Sequence, residues 1–170
     1  MTRFLLAALL ALSGPAMAAE THGHEEEEHH AFALGDLVVE HAWTRATSAK
    51  TADVFMLVHN LGEAPVLLSG ASSARAQSAA LIGYRIAGGT ETAEALPAVP
   101  VPAGREMVLA PGVMAVRLSG LSAPLEEGGH LDLVLLTDAG ALEIEAEIGA
   151  ADAMHHSHAG HSHLGEAHAD

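Results

Sequence analysis

Ten of the thirteen histidines fall in two short stretches of the chain. His22, His24, His29 and His30 lie near its start. His155, His156, His158, His161, His163 and His168 lie at its end, with Met154 beside them. Neutral imidazole is a common ligand for copper, zinc and nickel. The H-x-H and H-H spacings let neighbouring side chains converge on one ion even in a flexible segment. The run from Glu25 to Glu28 adds carboxylates and a negative field that concentrates cations. Met154 offers a thioether, a donor suited to Cu(I). Ordering a flexible segment around an ion costs conformational entropy, so the pattern predicts several exchangeable sites rather than one closed site. A merely solubilising tail draws on Glu, Lys, Ser and Gly; histidine at this density points to metal binding.

The rest of the chain narrows what such segments could serve. With 170 residues it can build one domain with a proper core. A formal net charge of −15 makes nucleic acid a poor partner and cations good ones. One Trp, one Tyr and three Phe leave little for stacking on bases or sugars. There is no cysteine, which excludes disulfides, thiolate metal sites and a cysteine nucleophile. Residues 1–19 read as a secretory signal peptide: Arg3, the apolar run Phe4–Leu12, the breaker Ser13-Gly14-Pro15, and Ala16-Met17-Ala18 as an A-x-A cleavage site. The apolar run is too short to span a membrane, which takes about 20 residues, and no second one follows. The sequence thus predicts a periplasmic or otherwise exported protein. A cut after Ala18 leaves His22 fourth; a cut after Ala19 would leave it third, where amine, amides and imidazole can wrap Cu(II) or Ni(II) in a square plane.

The segments between are organised around short strands. Residues 20–31 are His/Glu-rich without apolar periodicity and are expected to be disordered, as is the His-rich tail 151–170. Residues 32–150 read as an all-β sandwich, because apolar residues alternate in short runs punctuated by Gly, Pro, Asn and Asp. Strands are expected near Leu37–Trp43, Val54–Asn60, Val66–Ala71, Ala79–Ile86, Glu94–Val99, Arg105–Ala110, Val113–Leu118, His130–Thr137 and Leu142–Ile148. In the last, Leu142, Ile144, Ala146 and Ile148 should face the core and Glu143, Glu145 and Glu147 water, after a turn at Asp138-Ala139-Gly140. Met114, Val116 and Leu118 should face one way, and Val113, Ala115 and Arg117 the other.

This segment resembles the periplasmic copper chaperones of the PCuAC type. Ala42-Trp43-Thr44-Arg45 is similar to the family's opening W-x-R strand. Ala52–Asn60 followed by Gly62 resembles its A-x-x-Y-M-x-I-x-N-x-G strand and turn, with Phe55 as the aromatic. Val101-Pro102-Ala103-Gly104, Leu109-Ala110-Pro111-Gly112, Gly120-Leu121, Pro124-Leu125 and Gly128 match further signposts in order. The resemblance implies a cupredoxin-like Greek-key β-sandwich that handles copper and delivers it to an oxidase subunit or a membrane copper transporter. It also implies four Cu(I) ligands: a His, a Met, and a His-x-Met pair. Counted from Pro111-Gly112, those positions fall on Ile82, Ala93, Ala115 and Arg117, none of which can coordinate copper. The family's metal site is therefore not expected on this sandwich.

The remaining candidates read as structural. His41, His59 and His130 lie in predicted strands and are expected to be hydrogen-bonded surface or edge residues. Met56, Met107 and Met114 have core parity, and Trp43 is expected to anchor the core. Arg117 reads as an exposed strand arginine, with pairing to a carboxylate or an anion as the alternative. No G-x-S-x-G, H-E-x-x-H or paired carboxylate suggests an enzyme. The sequence favours an exported copper chaperone or buffer that captures Cu(I) or Cu(II) through its His-rich tails. The alternatives are zinc or nickel buffering, and a metal-free interaction module using the face around Ile82, Ala115 and Arg117.

Overall fold

Period-two alternation of apolar side chains is the local rule that builds this fold, and the structure, a computed structural model, describes residues 31–156. These residues form eleven strands: β1 (Ala31–Leu34), β2 (Leu37–Arg45), β3 (Thr51–Asn60), β4 (Val66–Ser72), β5 (Ser78–Ala87), β6 (Thr90–Ala95), β7 (Val99–Val101), β8 (Arg105–Leu109), β9 (Met114–Ser119), β10 (His130–Thr137) and β11 (Gly140–Gly149). Residues 1–30 and 157–170, with the expected signal peptide and most of both His-rich segments, lie outside the described residues.

The strands run in the order β6-β5-β9-β3-β2-β11-β10-β4-β7, with β1 added to β2 and β8 to β3. All pairings are antiparallel except β2 with β11, which are parallel. The two ends of the sheet fold over one another. Val54, Met56, Val58, Leu81, Val116 and Leu118 from one half then share a core with Leu131, Leu133, Leu135, Leu142, Ile144 and Ile148 from the other. The fold is the all-β, cupredoxin-like one that the alternation and the resemblance imply.

The β10–β11 hairpin has the expected register, closing at Thr137↔Gly140 and reaching His130↔Glu147. Leu142, Ile144, Ala146 and Ile148 are buried. In β9, Val116 and Leu118 enter the main core and Met114 packs against it, while Ala115 faces the opposite side. Met56 is buried and Met107 packs at the core edge, as their parity predicts. Buried Asn60 is fully used: Nδ2 donates to the Ala64 and Val101 carbonyls at 2.8 and 2.9 Å, and Oδ1 accepts from Gly62 N–H at 3.0 Å. A β-carbon on Gly62 would press on that Oδ1 and on Asp36 at 3.2 Å. The N-x-G pair is thus a built turn.

The strand boundaries depart from the sequence reading at β1, at β3, which begins at Thr51, and most of all around β6. The expected strand Glu94–Val99 is instead two, β6 and β7, separated by residues 96–98. Pro97 has no N–H for a ladder, so a continuous strand is broken there. β6 begins earlier, because Gly88 and Gly89, both at positive φ, close a two-residue hairpin between Ala87 and Thr90. A first strand, β1, pairs with β2 through Leu34↔Leu37.

β2 contains the feature that matters most for the site. Its register with β3 shifts between Glu40↔Leu57 and Trp43↔Phe55, so His41 and Ala42 together oppose one residue. His41 takes φ +52°, the single non-glycine residue at positive φ among the described residues. This is a β-bulge, and it reverses the side-chain parity along the strand. Leu37 and Val39 point into the main core before it, and Ala42 does so after it. Trp43 is thereby sent to the opposite face.

Candidate metal-binding regions

On that opposite face Trp43 meets Phe55, with ring centroids 4.9 Å apart, and both pack with Ile82 and Ala115 in a second, smaller core. Trp43 is buried as expected, but in this outer cluster rather than the main one. The strand registers explain the convergence. Ile82 is opposite Ala115 across β5–β9, and Ala93 is opposite Tyr84 across β6–β5. Arg117 is opposite Asp53 across β9–β3. The four positions at which the resemblance implies copper ligands therefore do share one face, where Ile82 and Ala115 are buried against the Trp43 and Phe55 rings, Ala93 is exposed and Arg117 is charged.

Its rim is an ion-paired triad. Arg117 Nε and Nη2 donate to the two Asp53 carboxylate oxygens at 2.7 Å each. Tyr84 O–H donates to Asp53 Oδ2 at 2.6 Å. The Arg117 guanidinium also lies 5.9 Å from the Tyr84 ring centroid. Burial, reinforced by the hydrogen bond to the Asp53 carboxylate, raises the Tyr84 phenol above its ordinary range. The hydrogen bond to Asp53 raises Arg117 further still. Arg117 is thus not a free strand arginine: its charge is spent within the protein, and it has no lone pair for a metal.

Next to this face the last described residues lie against the domain. Arg45 stacks over the Trp43 and Phe55 rings at 5.9 and 5.6 Å, and its Nε donates to the Ala153 carbonyl at 2.6 Å. Its Nη2 is 3.6 Å from Met154 Sδ. His156 Nε2 is 2.8 Å from Glu147 Oε2, and the His156 ring centroid is 5.4 Å from that of His41. Of the expected metal ligands, Met154, His155 and His156 are therefore placed at the domain surface. His22, His24, His29, His30, His158, His161, His163 and His168 lie outside the described residues.

The other domain histidines have carboxylate neighbours. His59 lies between Glu40, with Nε2 at 3.2 Å, and Glu106, with Nδ1 at 3.8 Å. His130 Nε2 lies 3.9 Å from Glu145 Oε1. Among the described residues no three His, Cys, Asp or Glu side chains are already arranged to hold one ion. The sequence reading passed over Glu145 and Glu147 as metal-site candidates. One signal was available for Glu147: counting back from the Asp138-Ala139-Gly140 turn sets it opposite His130.

Comparison with known proteins fixes the family. The family model described as "Putative lipoprotein LpqE-like" matches residues 37–148. The chain belongs to the LpqE-like lipoprotein family. It is 33% identical over 134 residues to "Putative lipoprotein Lxx21020" of Leifsonia xyli subsp. xyli (strain CTCB07), covering 76% of each. Among solved structures it is similar to the copper-bound PCuAC domain of PmoF2, with a TM-score of 0.61 and 29% identity over 71% of this chain and 98% of that one. The apo PCuAC domain of PmoF1 gives a TM-score of 0.61 and 31% identity, over 71% and 99%. The PCuAC resemblance thus holds across the domain, which carries Ile82, Ala93, Ala115 and Arg117 at the positions where that resemblance implies copper ligands. No helix among the described residues is long and apolar enough to cross a membrane.

Proposed function

We propose that this LpqE-like protein is an exported copper-handling protein, a chaperone or buffer, that captures the ion through its two His-rich segments rather than inside the sandwich. One juxtaposition carries the reading. A PCuAC-type fold holds Ile82, Ala93, Ala115 and Arg117 where the resemblance implies copper donors, while ten imidazoles flank it in sequence. Copper suits this assignment because a PCuAC structure with the same fold holds it. Export is supported by the signal-type N-terminus and by the lipoprotein relative. The sandwich then serves as a stable carrier, and delivery would be to an oxidase subunit or a membrane copper transporter. Zinc fits the imidazole and carboxylate donors as well, and copper is preferred on its higher place in the divalent affinity order. The interaction-module alternative gains no support from a face whose Ile82 and Ala115 are buried and whose Arg117 is bonded to Asp53.

The test is a Cu(I) and Cu(II) titration of the full chain beside a variant with all ten flanking histidines replaced by Gln, followed by metal analysis after dialysis. The wild type should retain more than one copper per chain, and the variant should lose most of it. Equal stoichiometry in the two proteins refutes the assignment.

A further inference from the structure

We propose that the domain itself completes a Cu(II) site, in which His41 and His130 join His156 and Glu147 where the chain's C-terminal segment meets the sheet. This inference rests on the metal-capturing role proposed above and assigns that role a specific centre. Four observations place the donors together. The His41 and His156 ring centroids are 5.4 Å apart. His156 Nε2 already contacts Glu147 Oε2 at 2.8 Å. His130 is the direct cross-strand partner of Glu147, which puts their side chains side by side on one face. Glu145, two residues along that strand, lies 3.9 Å from His130.

The backbone supports the same reading. His41 occupies the bulge of β2 at φ +52°, a conformation that costs a side-chain-bearing residue energy and that suits Gly or Asn better. Bulges re-aim side chains, and this one brings an imidazole into contact with the ring of His156. The parallel pairing of β2 with β11 sets Glu147 opposite Trp43, two residues from His41. Arg45, fixed over the Trp43 and Phe55 rings, holds the Ala153 carbonyl and so delivers His156 to the patch.

The donors do not yet point at one centre. His130, Glu145 and Glu147 are, however, 49%, 44% and 34% exposed in their side chains, so an arriving ion can reach them, and binding has to draw them from their present contacts. Imidazole nitrogen and carboxylate oxygen are donors for a divalent ion, and the affinity order of such sites peaks at Cu(II). The chain's net charge of −15 favours the ion's approach.

Two measurements on the full chain test this. In nuclear magnetic resonance spectra taken at substoichiometric Cu(II), the backbone amides of His41, His130 and Glu147 should broaden first. In competition against a Cu(II) chelator, a His41→Asn/His130→Gln variant should bind its tightest equivalent about tenfold more weakly or worse; Asn is chosen because it tolerates the bulge conformation. Copper bound by the wild type with those amides unaffected overturns this site and leaves the capture by flanking histidines standing. Failure of the wild type to bind Cu(II) overturns this site, and failure to bind either Cu(II) or Cu(I) overturns both. A tighter grip on Zn(II) than on Cu(II) overturns the copper assignment. The amide spectra of the wild type decide the matter even if the double variant folds poorly.

Discussion

Removing the Asp53 carboxylate should show how far the ion-paired rim replaces a metal as the organiser of the outer face. Asp53→Ala deletes the acceptor of two Arg117 hydrogen bonds at 2.7 Å and one Tyr84 hydrogen bond at 2.6 Å. Hydrogen bonds to a charged group contribute roughly 1.5–3 kcal/mol each when shielded. The site is only partly shielded, with the Asp53 and Arg117 side chains 20% and 31% exposed, so water recovers part of the loss. Breaking a fully buried pair costs about 3–5 kcal/mol, and an exposed pair contributes about 0–1 kcal/mol. The expected cost lies between, at about 2 kcal/mol, or about 7 °C in Tm for a domain of this size. Urea unfolding of wild type, Asp53→Ala, Arg117→Ala and the double variant would give it as a shift in midpoint at constant slope. The same cycle should return a coupling of about 1 kcal/mol between the two residues. A cost below about 0.5 kcal/mol with no coupling would refute the argument, because the triad would then be a surface decoration rather than a rim.

Tyr84 is the sole tyrosine, so its phenolate absorbance reports one group. Its folded pKa is raised, so the folded state binds the proton more tightly than the unfolded state. The resulting stability is full below about pH 10 and falls as pH rises beyond it. Tyr84→Phe should flatten that decline in an alkaline unfolding series; an unchanged slope would remove the assignment. Arg45→Ala should free residues 153–156, taking their amide order parameters from about 0.85 to below about 0.6. Unchanged values would mean that other contacts hold this segment. The combined change Ile82→His, Ala93→Met, Ala115→His and Arg117→Met installs the donors that the PCuAC resemblance implies. It should add one equivalent of Cu(I), read from broadened or shifted β5 and β9 amides, while destabilising the outer cluster by about 3 kcal/mol. No added copper in a folded variant would show that the face no longer has the shape for a site.

Much of the scaffold could be read from the chain alone, because strand alternation is a local property. Steric rules set side chains alternately on two faces whatever the neighbours. That is why Leu142, Ile144, Ala146 and Ile148 could be assigned inward, and why the β10–β11 register follows from its turn. Equally legible was that the positions where the PCuAC resemblance implies copper ligands hold Ile, Ala and Arg, which have no donor for copper in any fold. Where the alternation failed, a local break was responsible: Pro97 divided one expected strand, and the Gly88-Gly89 turn began another early.

What only the tertiary structure decided is which distant residues meet. The bulge at His41 adds one residue against β3 and reverses every later side chain of β2, sending Trp43 outward to Phe55. Period-two reading carries no mark of such an insertion, because the bulge is selected by how the two faces pack and not by the strand's own residues. The β2–β11 pairing likewise depends on the sheet's long-range order. His41, His130, Glu147 and His156 are scattered along the sequence and become neighbours only when that order is fixed. The residue types determined what chemistry this chain can offer, and the order of the strands in the sheet determined which of those residues meet.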